Sequence, residues 1–173
     1  LDVLGAWDWL QQTHSLSPPQ IGLAGFSMGG ATVIHAMADE PQIAAGWSDS
    51  AFDSMQRVVA FHTEAAGLPL LFAETVFPVG AIFFGVDVLD DRAIDAVQML
   101  EDHPLYLVHS TNDAIVPFAS AVALYEAARQ TNDNIDFWKI DASPHVLHMV
   151  HAPQMYEQRL VDFFETHLQS ADS

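Results

Sequence analysis

The chain has 173 residues, half of them hydrophobic, which suits one domain with a sizeable core. Its 23 acidic residues against five Lys and Arg give a formal net charge of -18, which excludes nucleic acid and makes an anionic membrane surface a poor partner. The absence of cysteine excludes disulfides, a cysteine nucleophile and thiolate metal sites.

The chain opens inside or at the edge of a helix. Its first residue is Leu1, and Leu4, Trp7 and Leu10 follow at helical spacing within residues 1–12. We therefore expect part of the fold to lie upstream. We also expect the first strand of this chain to lack one of its two neighbours, which would leave the chain by itself an incomplete catalyst.

Strand and helix patterns alternate along most of the chain. Buried strands are predicted at residues 20–24, 43–47, 104–109 and 135–140. Helices are predicted at residues 28–38, 118–129 and 153–167. Right-handed crossovers make such strands parallel, so the loops at their carboxyl ends gather at one edge of the sheet. The predicted fold class is α/β, with a parallel sheet and flanking helices.

A glycine-rich turn joins the first strand to its helix and reads Gly25-Phe26-Ser27-Met28-Gly29. A G-x-S-x-G pattern between a strand and a helix indicates a nucleophile elbow, a strained turn that exposes a serine. We expect Gly25 and Gly29 to be required because strand and helix pass closely there. The helix that opens at Met28 directs free N–H groups at the space over Ser27, where an oxyanion would form. Ser27 is the candidate nucleophile, and the Met28 N–H is the candidate oxyanion donor.

Residues 50–99 break the alternation with two or three helical segments. The stretch 68–88 is very apolar and nearly long enough to span a membrane, but Glu74, Pro78 and Gly80 interrupt it. We therefore expect a helical cap inserted over the catalytic edge, within a single partial domain covering residues 1–173.

The candidate acid and base lie in two later loops. Acyl transfer by a serine requires a base to accept its proton and a carboxylate to orient that base, in the chain order Ser, Asp or Glu, His. Asp113 follows the third strand and His145 follows the fourth, so both lie at the edge that carries Ser27. The topology therefore predicts that the three side chains converge.

Other assignments stay open on the residues alone. Three further aspartates could serve as the acid: Asp49, Asp53 and Asp141. His148 and His151 compete with His145, and the spacing H-x-x-H-x-x-H also suggests a metal site. Positions i, i+3 and i+6 drift around a helix, however, and no H-E-x-x-H is present, so we predict no metal. His148 and His151 are interpreted as structural or solvated.

Three segments together resemble an α/β-hydrolase of the serine esterase and prolyl-oligopeptidase-like kind. They are G-F-S-M-G-G, P-L-Y-L-V-H-S-T-N-D-A-I-V-P and P-H-V-L-H-M-V-H-A-P-Q-M-Y, and the resemblance covers the C-terminal half to two thirds of that fold. It implies that Ser27 is the nucleophile, His145 the general base and Asp113 the orienting carboxylate. Ser110 departs from the family, which usually has glycine after the histidine. The family's first strands and its H-G-G-type loop, which supplies a second oxyanion donor, are not in this chain.

We interpret the chain as part of a serine hydrolase that cleaves an ester or peptide-like acyl bond of a small molecule or peptide through an acyl-enzyme. Apolar side chains of the elbow and cap indicate an apolar acyl pocket formed by Phe26, Met28, Phe72, Phe77, Phe83 and Phe84. No metal or organic cofactor is implied. An acyltransferase with the same triad, or a non-catalytic binding module, is the alternative. The sequence indicates neither the substrate nor the oligomeric state.

Overall fold

A parallel sheet forms the centre of the molecule. The computed structural model describes residues 2–84, 92–141 and 143–169, except for the side chains of residues 76 and 79–84. The sheet has four strands, all parallel, in the order in which they occur in the chain. They are β1 (Leu23–Phe26), β2 (Gly46–Asp49), β3 (Leu105–Ser110) and β4 (Ile135–Ile140).

Helices follow or connect these strands. In the described residues they are α1 (Asp2–His14), α2 (Met28–Asp39), α3 (Met55–Ala65), α4 (Leu71–Phe84), α5 (Ala93–Ala96), α6 (Phe118–Ala128), α7 (His148–His151) and α8 (Pro153–His167). Strand β4 and helix α8 have the bounds predicted from the sequence. Helix α8 begins with Pro153, whose fixed φ suits a first helical position and whose missing N–H costs no helical hydrogen bond there.

The core lies in two layers on opposite sides of the sheet. Successive side chains of a strand point to opposite faces. In β3, Leu105 and Leu107 accordingly join a cluster with buried residues of α1, α2, α5 and α6. Tyr106 and Val108 join a second cluster with buried residues of α8. All six residues of β3 are buried, as expected of an inner strand covered on both faces.

The first two strands begin later than the sequence predicts. The range 20–24 is wrong for β1 because Pro18–Gln20 forms a 3-10 turn, in which the Gln20 side chain accepts the Ser17 N–H at 2.8 Å. The range 43–47 is wrong for β2, which ends at Asp49. Ser48 and Asp49, which the predicted range leaves out, are polar but fully buried.

Strand β1 lies at one end of the strand order and pairs with β2 alone among the described strands. The pairing continues past the strand end, since the Ser27 N–H donates to the Asp49 carbonyl at 2.8 Å. Because all four strands are parallel, their carboxyl ends lie at one edge of the sheet, and the elbow lies there at the end of β1.

The segment 50–99 contains α3, α4 and α5. Helix α4 packs against α3, and the His62 ring near the end of α3 contacts the Ile115 carbonyl at 2.9 Å, in the loop after β3. Within the described residues, no helix is both long and apolar enough to cross a membrane. That this segment caps the catalytic edge stays a prediction.

Candidate active site

Ser27 occupies a strained turn between β1 and α2. Its φ of 53° and ψ of -117° lie in a region that residues with a Cβ rarely adopt. The surrounding structure holds this conformation through the bond from the Ser27 N–H to the Asp49 carbonyl and through the bond from the Ala31 N–H to the Ser27 carbonyl at 3.2 Å. The strained turn leaves Ser27 partly exposed.

The glycines of the elbow have unequal roles. A Cβ on Gly25 would overlap the backbone carbonyl of Gly29 and lie 2.9 Å from the Gly30 nitrogen, as expected for a close crossing of strand and helix. A Cβ on Gly29 would meet nothing within 4 Å, so the expectation that packing requires Gly29 is wrong. Close packing requires a glycine at position 30 instead, because a Cβ on Gly30 would lie 3.0 Å from the Asp49 carbonyl oxygen.

The structure brings Ser27, His145 and Asp113 together. The Ser27 Oγ lies 2.9 Å from His145 Nε2, and His145 Nδ1 lies 2.6 Å from Asp113 Oδ2. Because a carboxylate only accepts, Nδ1 carries the proton and Nε2 is left as the acceptor for the serine hydroxyl. The His145 side chain is 15% exposed and that of Asp113 is fully buried, so solvent reaches the candidate base and not the candidate acid.

Asp113 is fixed by its own loop. Its Oδ1 accepts the N–H groups of Ile115 at 2.8 Å and Val116 at 2.9 Å, which leaves Oδ2 to His145. These two backbone hydrogen bonds fix the orientation of the carboxylate.

A second buried histidine lies close to the acid. His109 Nε2 is 3.0 Å from the Val116 carbonyl and 3.6 Å from Asp113 Oδ2. Burial lowers the pKa of His109, so this ring stays neutral and donates to the carbonyl. Of these two imidazoles, that of His145 lies nearer to the Asp113 carboxylate, at 2.6 Å.

The alternative acids are engaged elsewhere. Asp53 receives the Arg57 guanidinium at 2.8 Å, and Asp141 accepts the Thr111 hydroxyl at 3.3 Å. Asp49 accepts the hydroxyl of Ser50 at 2.8 Å. Asp113 is therefore the aspartate that contacts His145.

The histidines that follow His145 separate in space. His148 is fully buried and lies 3.1 Å from Asp49, whereas His151 is exposed. No group of three His, Cys, Asp or Glu residues that could hold a metal occurs in the part of the chain that the structure describes. Of the two interpretations given to His148 and His151, the structural one applies to His148 and the solvated one to His151.

Ser110, the departure from the family pattern, links the acid and base loops. Its buried hydroxyl oxygen accepts the N–H of Asn112 at 3.2 Å and that of Ser143 at 3.2 Å. A glycine would leave both amides without this acceptor. Sequence reasoning missed the role because it depends on which backbone amides approach, and residues 110 and 143 are far apart in the chain.

Met28 begins α2, so its amide has no intrahelical carbonyl partner and is available to an anion above Ser27. The Met28 side chain is 72% exposed. Its predicted part in the oxyanion site thus rests on the backbone.

Two cavities contain residues that the sequence singled out. One of about 440 Å³ lies at the candidate base and is lined by Asn112, Ala114, Ile115, Pro144 and His145. Another of about 460 Å³ lies between α3 and α4 and is lined by Gln56, Ala60, Leu70, Ala73, Glu74, Phe77 and Pro78. Of these linings, the sequence predicted Phe77 as a pocket residue and His145 as the base.

The described members of the predicted pocket differ in exposure, and that they form one acyl pocket stays a prediction. Phe77 is buried in the cavity between α3 and α4, Phe72 is 55% exposed, and Phe26 is 39% exposed and stacks on Tyr156 at 6.5 Å. The side chains of two further members, Phe83 and Phe84, lie outside the described residues.

The parallel sheet, its flanking helices and the strand-to-helix elbow define an α/β-hydrolase fold, as predicted. The chain belongs to the prolyl oligopeptidase family, whose model matches residues 1–171. No curated protein sequence matches the chain significantly.

Solved structures of esterases and peptidases share this fold. An esterase from Pyrococcus furiosus is 24% identical with a TM-score of 0.76, over 98% of this chain and 62% of the esterase. The esterase domain of a Rhodothermus marinus protein is 23% identical with a TM-score of 0.70, over 97% of this chain and 68% of the domain. An acylaminoacyl peptidase from Pyrococcus horikoshii is 19% identical with a TM-score of 0.73, over 96% of this chain and 27% of the peptidase. The chain thus spans less than two thirds of the length of the first of these proteins.

Proposed function

We propose that the protein is a serine hydrolase that cleaves ester or peptide-like acyl bonds through Ser27, His145 and Asp113. The observation that carries this proposal is the continuous chain of hydrogen bonds from the serine hydroxyl through both nitrogens of the imidazole to a buried carboxylate. Nucleophile, base and orienting group stand in the order and geometry that acyl transfer requires. Membership of the prolyl oligopeptidase family supports the same reaction class.

Acylation begins when Ser27 Oγ attacks the substrate carbonyl carbon and gives its proton to His145 Nε2. The imidazolium that forms is stabilised by Asp113, which lies 2.6 Å from the other ring nitrogen. The negative charge on the carbonyl oxygen is stabilised by the Met28 N–H at the start of α2. The tetrahedral intermediate collapses, the bond to the leaving group breaks, and His145 returns the proton to that group.

Deacylation repeats these steps with an acceptor that enters from solvent. His145 removes a proton from water, and the hydroxide equivalent attacks the acyl carbon of the acyl-enzyme. The bond from that carbon to Ser27 Oγ then breaks, His145 returns the proton to Oγ, and the carboxylic acid is released. An alcohol or thiol in place of water would make the protein an acyltransferase. Product analysis with a short alcohol present separates the two reactions, because a transferase yields the new ester in preference to the acid.

We place the reacting acyl bond at the mouth of the cavity beside His145. That cavity is lined mainly by small or apolar residues, and its volume of about 440 Å³ suits a small acyl or alcohol group. The contact between His62 and the Ile115 carbonyl supports a cap formed by residues 50–99, since it joins α3 to this lining. We expect apolar groups to be preferred over charged ones at this position.

The test uses a fluorophosphonate probe and p-nitrophenyl esters. The probe should label the protein on Ser27, as located by mass spectrometry, and Ser27→Ala should abolish labelling and hydrolysis. Ser50 is an internal control because it also contacts a histidine and an aspartate but is fully buried. Labelling absent from the wild type, or unchanged in Ser27→Ala, would overturn the proposal.

A further inference from the structure

A second polar cluster lies behind the candidate site, at the carboxyl end of β2. It consists of Trp47, Asp49, Ser50, His148 and Tyr156, each of them at most 1% exposed. Polar groups this deeply buried cost stability unless they are bonded to one another. The reaction proposed above uses none of them.

Asp49 is the centre of the cluster. Its Oδ2 accepts the Tyr156 hydroxyl at 2.7 Å, and its Oδ1 accepts the Ser50 hydroxyl at 2.8 Å and lies 3.1 Å from His148 Nε2. The Tyr156 oxygen in turn accepts the Trp47 Nε1–H at 2.8 Å. Burial, followed by the charge of Asp49, raises the pKa of Tyr156, so the phenol keeps the proton that it donates.

This cluster is not a second catalytic triad, although it contains a serine, a histidine and an aspartate. In the Ser27 site the acid and the serine contact opposite nitrogens of the ring. Here Asp49 and Ser50 both contact Nε2 of His148, and no partner for its Nδ1 occurs among the described residues. Ser50 is also 0% exposed, so no substrate carbonyl reaches it.

The cluster contacts both halves of the candidate site. The backbone carbonyl of Asp49 accepts the Ser27 N–H at 2.8 Å, so Asp49 holds the nucleophile elbow directly. His148 lies three residues after His145 and begins α7. Between them Val146 has a φ of 52°, a conformation that a β-branched residue keeps only when its surroundings impose it. The bond from His148 to Asp49 therefore anchors a strained loop at the position of the base.

We propose that Asp49, His148 and Tyr156 are positioning residues that set the distance between Ser27 and His145. This inference rests on the proposed function, since it concerns the same site. The Asp49 carboxylate joins the strand that carries the elbow contact to the loop that carries the base, and Tyr156 fixes that carboxylate from α8. Loss of one member lets the two reacting side chains drift apart, and displacement of about 1 Å can cost on the order of 100-fold in rate.

Tyr156→Phe is the main test, with Tyr106→Phe as its matched control. Both phenols are buried and both rings contact Trp47, Tyr106 by stacking and Tyr156 edge-on. Each hydroxyl has one strong partner beyond Trp47. The Tyr106 hydroxyl accepts from Arg159 at 2.8 Å and does not contact Asp49. We expect Tyr156→Phe to lower kcat for a p-nitrophenyl ester by roughly 10- to 100-fold with KM unchanged. Tyr106→Phe should leave both constants within about twofold of the wild type.

Two substitutions of His148 separate positioning from simple packing. His148→Gln places a side-chain N–H where Nε2 now donates and should restore most of kcat relative to His148→Leu. A merely structural role would lower thermal stability in one or both variants while kcat per folded molecule stayed at the wild-type value. That result, or a Tyr156→Phe enzyme indistinguishable from Tyr106→Phe, would overturn the inference.

The rate of fluorophosphonate labelling and a crystal structure of each variant complete the test. Wild-type labelling with unchanged labelling of Tyr156→Phe refutes positioning and leaves the proposed function intact. If the wild type itself is not labelled, the proposed function fails and the crystal structures decide the positioning. Separation of Ser27 Oγ and His145 Nε2 beyond hydrogen-bond reach in Tyr156→Phe and His148→Leu then supports the inference, and a distance that stays at 2.9 Å refutes it.

Discussion

Replacing Gly25 by alanine places a methyl group where strand β1 meets the first turn of α2. The new Cβ would overlap the Gly29 carbonyl and lie 2.9 Å from the Gly30 nitrogen. Ordinary contact between such atoms begins at about 3.5 Å, so the Gly30 nitrogen must retreat by roughly 0.6 Å and the Gly29 carbonyl by more. Both obstacles are backbone atoms, and neither has a rotamer that would relieve the overlap.

The energetic cost follows from that displacement. Insertion of a methyl group into a packed site typically costs about 1–3 kcal/mol, and the upper end applies here because backbone must move. We expect Gly25→Ala to lower the free energy of unfolding by about 3 kcal/mol. Ser27 and Met28 lie between the colliding residues and move with them, so we also expect a loss of roughly 100-fold or more in kcat/KM.

Gly29→Ala is the matched control for stability. The added methyl would meet nothing within 4 Å, and alanine is favoured over glycine inside a helix by up to about 1 kcal/mol. Urea denaturation of both variants should therefore give changes of opposite sign, and ester hydrolysis reports the change in rate for Gly25→Ala. A Gly25→Ala protein as stable and as active as the wild type would show that the elbow does not need a close crossing.

Three further changes have expected outcomes. Ser110→Ala removes the acceptor of two loop amides and should lower the free energy of unfolding by about 1–3 kcal/mol. Urea denaturation would show this as a lower midpoint, and an unchanged midpoint would contradict the bridging role of Ser110. Burial lowers the pKa of His109, so as the pH falls below about 6.5 the unfolded chain binds a proton at this residue before the folded chain does. The free energy of unfolding of the wild type should therefore fall by up to about 1.4 kcal/mol per pH unit until the pH reaches the pKa of His109 in the folded protein. His109→Gln keeps a donor for the Val116 carbonyl and should lack that component, as denaturation curves at neutral and acidic pH would show by a shallower slope. Phe77→Ala enlarges the cavity between α3 and α4 and should raise KM for long-chain esters relative to the acetate ester if that cavity binds substrate; equal changes for both esters would count against it.

The parts of the site that topology determines could be predicted from the sequence. Ser27, Asp113 and His145 each follow a predicted strand, and parallel strands place their carboxyl ends at one edge whatever their exact bounds. An error of two or more residues at the ends of β1 and β2 therefore did not disturb the expected convergence. The same rule accounts for the correct fold class.

The parts that depend on long-range partners could not be predicted. The predicted second strand stops before Ser48 and Asp49 because nothing nearby in the chain explains the burial of these polar residues. The hydroxyl that donates to Asp49 belongs to Tyr156, more than a hundred residues later. Gly29 was assigned a packing role from its place in the motif. Which of two adjacent glycines meets the neighbouring strand depends on the rotation of α2, which the motif does not encode.

Because the Ser110 hydroxyl binds both the acid loop and the base loop, we expect the two loops to be exchangeable between relatives only together. It holds an amide of each loop, and the contact from Thr111 to Asp141 joins them a second time. A chimaera that takes its acid loop from a relative with glycine at position 110 would lose the acceptor that Ser143 uses, although no residue of the base loop had changed. Recombination within this family is therefore expected to succeed when residues 110–117 and 141–148 come from the same parent, and to yield misaligned hybrids when they come from different ones.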